Sequence, residues 1–350
     1  MQLVEFFINF FENFFDPKKR IFIGYLLAAL VVAFLWLIFS KKLPLRQSIR
    51  KIFDKKVFLS KSSKADFLVF FINRIFTLFI SPLLLTQLVV ATFIFNLLLL
   101  IDWPDWSFGF LLSKPAIVAA FTFTIFMLDD FTKYIVHRWM HKWPALWALH
   151  KVHHSAEHLT PITIYRTHPL EGIVFSLRSA VSQGVAISIF FYFFGNSVDL
   201  LTVIGVNILV FSFNVAGSNL RHSHIGIQYW GWLEYVLISP AQHQLHHSIA
   251  EEHYDKNFGA TLALWDWLFG SLHHSIDTDG LVLGIQDKDV SDRQSLYGLY
   301  IVPLIQFCSV IVKMIKGVKD IMLKAVKYTR NWRKFLLNKQ NTRGKNNAKV

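Results

Sequence analysis

Charge is scarce in this chain. Only 17% of its 350 residues are Asp, Glu, Lys or Arg, where soluble domains carry roughly 25%. Together with 53% hydrophobic residues and 35 phenylalanines, this is a membrane composition. Cysteine is scarcer still. Cys308 stands alone, which excludes an internal disulfide and any cysteine-held zinc or iron–sulfur site. It lies in an apolar run, so a thiolate nucleophile is not expected. An HExxH signature is absent, and with it the usual zinc-hydrolase pairing of two imidazoles with a general base. No basic stretch precedes the first apolar residues, so no cleavable signal peptide is expected. No aromatic-lined basic module is present, so no nucleic-acid partner is expected. The formal net charge of +13 is local: from Lys313 to Lys349 there are 12 Lys/Arg and one Asp. That reads as a solvated tail at an anionic membrane face.

Histidine is what the chain does have, and eight of its 15 sit in two places. The first place holds His137 and His141, then His150, His153 and His154. The second holds His243, His246 and His247. Residues three and four apart share a helix face, so each group aims two or three imidazoles at one point. Neutral imidazole is the commonest metal-binding side chain and suits Fe, Zn, Cu and Ni. Eight aligned ligands exceed what one ion takes, since structural zinc is almost always four-coordinate. A two-metal centre with open positions uses them better.

Along the chain, a Phe-rich amphipathic segment occupies residues 1–20. Ile21 to Phe39 is an uncharged run of 19 residues, long enough for a bilayer core of ~30 Å. Seven Lys and Arg follow between Lys41 and Lys56, which places that side in the cytoplasm. Phe67 to Ile101 is too long for one simple span, and Pro82 is expected to break it. The loop from Asp102 to Trp106 has no basic residue and faces the other way. Phe110 to Leu128 returns, so His137 and His141 emerge on the cytoplasmic side. Gly172 to Gly217 reads as a helical hairpin turning at 195–199, which brings both histidine groups to one side. Residues 218–300 read as a cytoplasmic cap, with a helix starting at Ser239-Pro240. Ile301 to Val326 has the pattern of a helix lying in the interface. Beyond Trp332 the composition suggests disorder. The expected fold is therefore all-α: a multi-span helical membrane protein whose cytoplasmic helical cap holds a histidine-rich two-metal site. The expected units are residues 1–115 for N-terminal spans, 116–275 for catalysis, and 276–350 for an amphipathic helix and basic tail.

These motifs resemble the fatty acid hydroxylase/sterol desaturase superfamily. Besides the histidines, the resemblance rests on Asp130, Leu146-Trp147, Ser155 with Glu157, Arg166 with His168-Pro169-Leu170-Glu171, Asn257-Phe258-Gly259 and Trp265-Asp266. It covers about residues 116–275. The compact motif order, without a fused cytochrome domain, is nearest the bacterial sterol desaturase and alkylglycerol monooxygenase-like branches. The resemblance implies a non-haem centre of two iron ions (Fe2+) on a membrane scaffold. Such a centre uses O2 and two electrons on an unactivated C–H bond of a sterol, fatty acyl, alkylglycerol or carotenoid lipid. It implies an external electron donor of the cytochrome b5, ferredoxin or reductase kind. The eight clustered histidines are the expected catalytic ligands. His222, His224 and His168 are further candidates, because the family centre takes more than eight. His222-Ser223-His224 departs from the expected His-Ser-Asn, so either imidazole is eligible. His158, His253, His273 and His274 read as supporting or surface residues. Asp130, Glu157, Asp255 and Asp266 are the expected acceptors for the outer ring nitrogens. The competing reading is a His-rich membrane metal transporter or binding protein. It would carry ionisable groups in mid-span, and the runs Ile21–Phe39 and Gly184–Gly195 carry none.

Overall fold

The computed structural model describes residues 11–101, 112–286 and 293–347. The expected outward loop at 102–106 and the first half of the Phe-rich segment lie outside the described residues. The fold is helical, with one two-stranded hairpin among the described residues. Helix α1 (Ile23–Leu35) continues as a π turn to Ser40. Then come α2 (Lys61–Ile80), α3 (Gln87–Leu99), α4 (Lys114–Lys142), α5 (Pro144–His154) and α6 (Pro169–Phe194). Strands β1 (Thr202–Val203) and β2 (Val206–Asn207) precede α7 (Ile208–Val215), α8 (Pro240–His246) and α9 (Val302–Asn347). Among the described residues, five stretches are long and apolar enough to cross a membrane: Ile23–Ser40, Lys61–Leu99, Lys114–Lys142, Pro169–Ser197 and Tyr297–Thr329. The protein is an integral membrane protein.

The membrane scaffold is α2–α3, α4 and α6. A short 3-10 turn, Ser81–Leu83, interrupts α2–α3 at Pro82, and Thr86 caps α3. The two pieces run alongside α6 in the same direction. Asn73 donates to the Thr167 carbonyl at 2.7 Å, and Phe95 packs on Phe191 and Tyr192. Gly184 permits the closest approach, since a Cβ there would lie 2.7 Å from Val90 Cβ. Small residues let backbones meet this way where lipid offers no hydrophobic drive. Helix α4 runs antiparallel to α6, with Phe121 against Phe190 and Arg178 on the Asp129 carboxylate at 2.9 Å. The histidine-bearing end of α4 and the start of α6 therefore share one end of the bundle.

Two expectations about the outer elements change. The 172–217 hairpin has unequal arms. Its first arm is the single 26-residue helix α6, and its return is the β-hairpin followed by the eight-residue α7. The β-branched Thr202, Val203 and Val206 favour strand, and Ile204 and Gly205 turn with φ of 45° and 75°. Helix α1 packs away from the bundle: Ala29, Ala33 and Leu37 bury against Leu220, Ile225 and Ile227. The second change is that the segment after Trp332 stays helical to Asn347, consistent with its Lys, Arg, Gln and Leu content. Before that point α9 leaves the body, and Met314, Ile315, Val318 and Met322 are exposed.

Candidate metal centre

Four local devices aim the imidazoles. The last turns of α4 carry His137 and His141 on one face. Trp143 breaks the helix in extended conformation, and Pro144 restarts it as α5. Pro fits that first position because its missing N–H would have no partner there. Helix α5 then buries His150, His153 and His154. Ser239 caps α8 in a reciprocal box with Gln242, as its Ser-Pro start predicts, and the helix carries His243 and His246 with His247 at its end. The fourth device is the 3-10 turn Ser218–His222. It follows Gly217 at φ 97°, a left-handed position that suits glycine.

The turns converge on two clusters. His137, His141, His150, His154 and His246 form one, and His153, His222, His243 and His247 form the other; within each cluster one nitrogen from every ring lies within 4.8 Å of the rest. Ring nitrogens approach closely: His137 and His246 Nε2 are 3.1 Å apart, His153 and His222 Nε2 3.1 Å, and His222 and His243 Nε2 3.0 Å. Two ligands at right angles on an ion at ~2.1 Å sit about 3.0 Å apart, so the spacing fits a shared cation. Nε2 of His141, His150 and His154 is buried without a hydrogen-bond partner, as are both nitrogens of His247. An unpaired buried polar atom is costly, and a metal ion removes that cost. The residues present fit such a group.

Their electrostatics agree. Burial, followed by neighbouring imidazoles, pushes His150, His154, His222, His243, His246 and His247 well below the usual imidazole range. Burial lowers His153 to about 3. All stay neutral at physiological pH, the state in which imidazole binds metal.

The groups orienting the rings differ from the expected carboxylates. His137 Nδ1 donates to the Phe258 carbonyl, His246 Nδ1 to the Lys256 carbonyl, and His150 Nδ1 to Glu171 Oε1, each at 2.7 Å. Asp130 and Asp266 act one layer further out. Asp130 accepts from Thr261 N, Leu262 N and Trp265 Nε1, and Asp266 from Phe258 N, Gly259 N and Ser271 Oγ. They therefore pin the loop whose carbonyls hold the rings. Burial raises Asp266 to about 6. Asp255 pairs instead with Lys142, and Glu157 accepts from Gln294. Glu171 was legible only as part of a motif. Its placement three residues after His168, in the first turn of an apolar helix, was the available signal.

Of the three extra candidates, the structure brings only His222 into a cluster. Nε2 of His224 bonds to the Lys51 carbonyl at 2.7 Å. Nδ1 of His168 caps Leu170 N, and its Nε2 lies 3.2 Å from the Tyr300 carbonyl. His253 and His273 rest against each other, and His274 against Glu234. His158 joins neither cluster.

Among the described residues, two cavities touch different members of the clusters. One, of about 460 Å³, touches His137, His150, His153, His222 and His243 and extends past Phe126, Phe175 and Phe213. Lys18, Arg20 and Arg221 also line it. Burial lowers Arg221 to about 10, which still leaves it charged. The other, of about 400 Å³, touches His141, His154 and His246 beside Trp147 and Tyr254.

A membrane-spanning helix that ends in histidines, joined by short helices that complete two histidine clusters, defines a class: integral membrane proteins with a histidine-lined site able to hold metal. Comparison narrows it. Residues 122–271 match the model of the fatty acid hydroxylase family, so this stretch is a fatty acid hydroxylase domain. Alkylglycerol monooxygenase of Danio rerio is 27% identical over 52% of this chain and 36% of its own length. Ornithine lipid hydroxylase of Rhizobium tropici is 26% identical over 53% and 49%. Lathosterol oxidase of Mus musculus is 24% identical over 55% and 57%. The match spans about a third to a half of the first two relatives. No solved structure matches the chain significantly. The transporter alternative finds no support, since these relatives are all oxidoreductases.

Proposed function

We propose that the protein is an O2-dependent oxidoreductase with two irons that acts on a C–H bond of a lipid, by hydroxylation, ether cleavage or desaturation. The observation that carries this reading is the pair of clusters, five and four imidazoles, facing a cavity that runs between apolar helices. All eight clustered histidines and His222 are assigned as ligands. Iron held there would activate O2, with one oxygen atom entering the substrate in a hydroxylation and the other leaving as water after uptake of two electrons and two protons.

The chain's own residues do the rest. Glu171 and the carbonyls of Lys256 and Phe258 keep the Nδ1 proton on their rings, which leaves Nε2 free to ligate. Phe126, Phe175 and Phe213 offer an apolar path and keep water from the site. The catalytic unit is assigned to residues 116–275, between N-terminal spans at 1–115 and the C-terminal helix and tail at 276–350. The basic run at 41–56 supports a cytoplasmic position for the active site. There a cytochrome b5-, ferredoxin- or reductase-like donor would deliver electrons, and the cavity beside Trp147 is the side open to it. Metal analysis of the purified protein should find two irons per chain, with lipid-dependent O2 consumption once a donor is supplied. One ion or fewer after Fe(II) reconstitution would refute the reading.

A further inference from the structure

Two arginines in the substrate-side cavity lack an acid. Arg20 Nη2 and Arg221 Nε donate to the same acceptor, the Ser218 carbonyl, at 2.9 and 3.3 Å. Two guanidiniums thus share one neutral oxygen. Neither forms an ion pair among the described residues. Arg20 Nε is buried without a partner. Arg221 is 5% exposed, its guanidinium lies 5.1 Å over the Phe213 ring, and it lines the cavity. A guanidinium cannot shed its proton to escape this, and leaving a buried charge uncompensated is strongly unfavourable.

The carboxylates nearby are committed elsewhere. Asp129 holds Lys133 and Arg178. Both oxygens of Asp130 accept N–H groups of 261, 262 and 265. Glu171 keeps one oxygen on His150, and its free Oε2 belongs to the side chain that orients that ring. Lys18 also lines the cavity, as does Lys133, which is held by Asp129. Asp129, Asp130 and Glu171 line the cavity, but none of them pairs with Arg20 or Arg221 among the described residues, which leaves both guanidiniums open to an anionic ligand.

Resting on the oxidoreductase reading above, we infer that the substrate is a lipid with an anionic headgroup, a phosphate or carboxylate, seated on Arg20 and Arg221. The position has a chemical consequence. Arg221 immediately precedes His222, so a headgroup held there places the first carbons of the lipid against the metal clusters. Oxidation falls near the headgroup end of the molecule, and the remaining chain follows the phenylalanine-lined path toward the bilayer.

The test is a titration of the iron-loaded protein in neutral detergent, read by native mass spectrometry. The probes are hexadecyl phosphate, hexadecanol and inorganic phosphate. Hexadecyl phosphate should bind about tenfold or more tightly than hexadecanol, the scale of one charge-assisted hydrogen bond. Arg20→Gln and Arg221→Gln should each erode that preference, and Arg20→Lys should keep most of it. The iron count in the same spectra reports whether Arg221→Gln has disturbed His222; Arg20→Gln carries the test independently, being remote in sequence from every ligand. Equal binding of the phosphate and the alcohol by the wild type, or an intact preference in the double variant, would overturn the inference. Inorganic phosphate binding as tightly as hexadecyl phosphate would assign the cations to a free anion and overturn the lipid headgroup. Two irons with oxidation of a neutral lipid but no anion preference would sink this inference alone. An anion preference without iron would instead sink the oxidoreductase reading.

Discussion

In the five-histidine cluster, three rings are held by acceptors at 2.7 Å: two backbone carbonyls and Glu171. In the four-histidine cluster, Nδ1 of His153, His222, His243 and His247 has no hydrogen-bond partner. Three of the first cluster's five rings are therefore oriented by protein groups, two of them through the loop that Asp130 and Asp266 fix. The second depends on packing and on whatever its nitrogens ligate. It also draws His222 from a single 3-10 turn braced by α1, where its neighbours come from helices. A centre can thus have one half preformed and the other completed by its ion.

The largest effects test whether both halves are needed. His154→Ala and His246→Ala in the first cluster, and His222→Ala in the second, should each abolish turnover and cut metal content while the spans stay folded. His224→Ala should leave metal content unchanged. Metal loss in His224→Ala with none in His222→Ala would reverse the assignment.

Glu171→Gln probes the preformed half. It keeps the shape but weakens the acceptor for His150. Loss of such an outer partner costs roughly 10–100-fold in metal affinity, to be read by competition with a chelator. An unchanged affinity would mean that the two halves do not differ in the way described.

Acid should act with opposite sign on the imidazoles of both clusters and on Asp266. The buried imidazoles have folded pKa values below the ordinary 6.5, His153 near 3. Unfolding then takes up protons below 6.5, so the metal-free protein loses stability as pH falls from 6.5 toward 3. Bound metal should delay that loss. Asp266 works oppositely: its folded value, about 6, lies above 3.8. Its contribution is complete below pH 3.8 and is lost as pH rises through 6. Thermal melts of Asp266→Asn against pH should lack that component, and an unchanged profile would remove Asp266 from the account.

The smallest effect is expected at His274→Ala. The ring is 45% exposed and touches Glu234 at 3.3 Å, a contact worth at most about 1 kcal/mol. Metal content and turnover should be unchanged, and a loss of either would place His274 in the centre.

Much of this architecture follows from the amino-acid sequence read on its own. Spans can be read because an apolar run of bilayer length has few other uses. The eight clustered histidines can be read because helical periodicity maps spacing onto one face. The Ser239-Pro240 helix start is equally local. What only the tertiary structure decided is which nitrogens meet. His222 and His224 are two residues apart in a turn, where no periodicity separates an inward ring from one that bonds to the Lys51 carbonyl. The acceptors for His137 and His246 are main-chain carbonyls, which carry no residue signature. Glu171 reaches His150 from 21 positions away, across two helices whose packing no local pattern specifies. Local rules place side chains on faces, and long-range packing alone decides which faces share a centre.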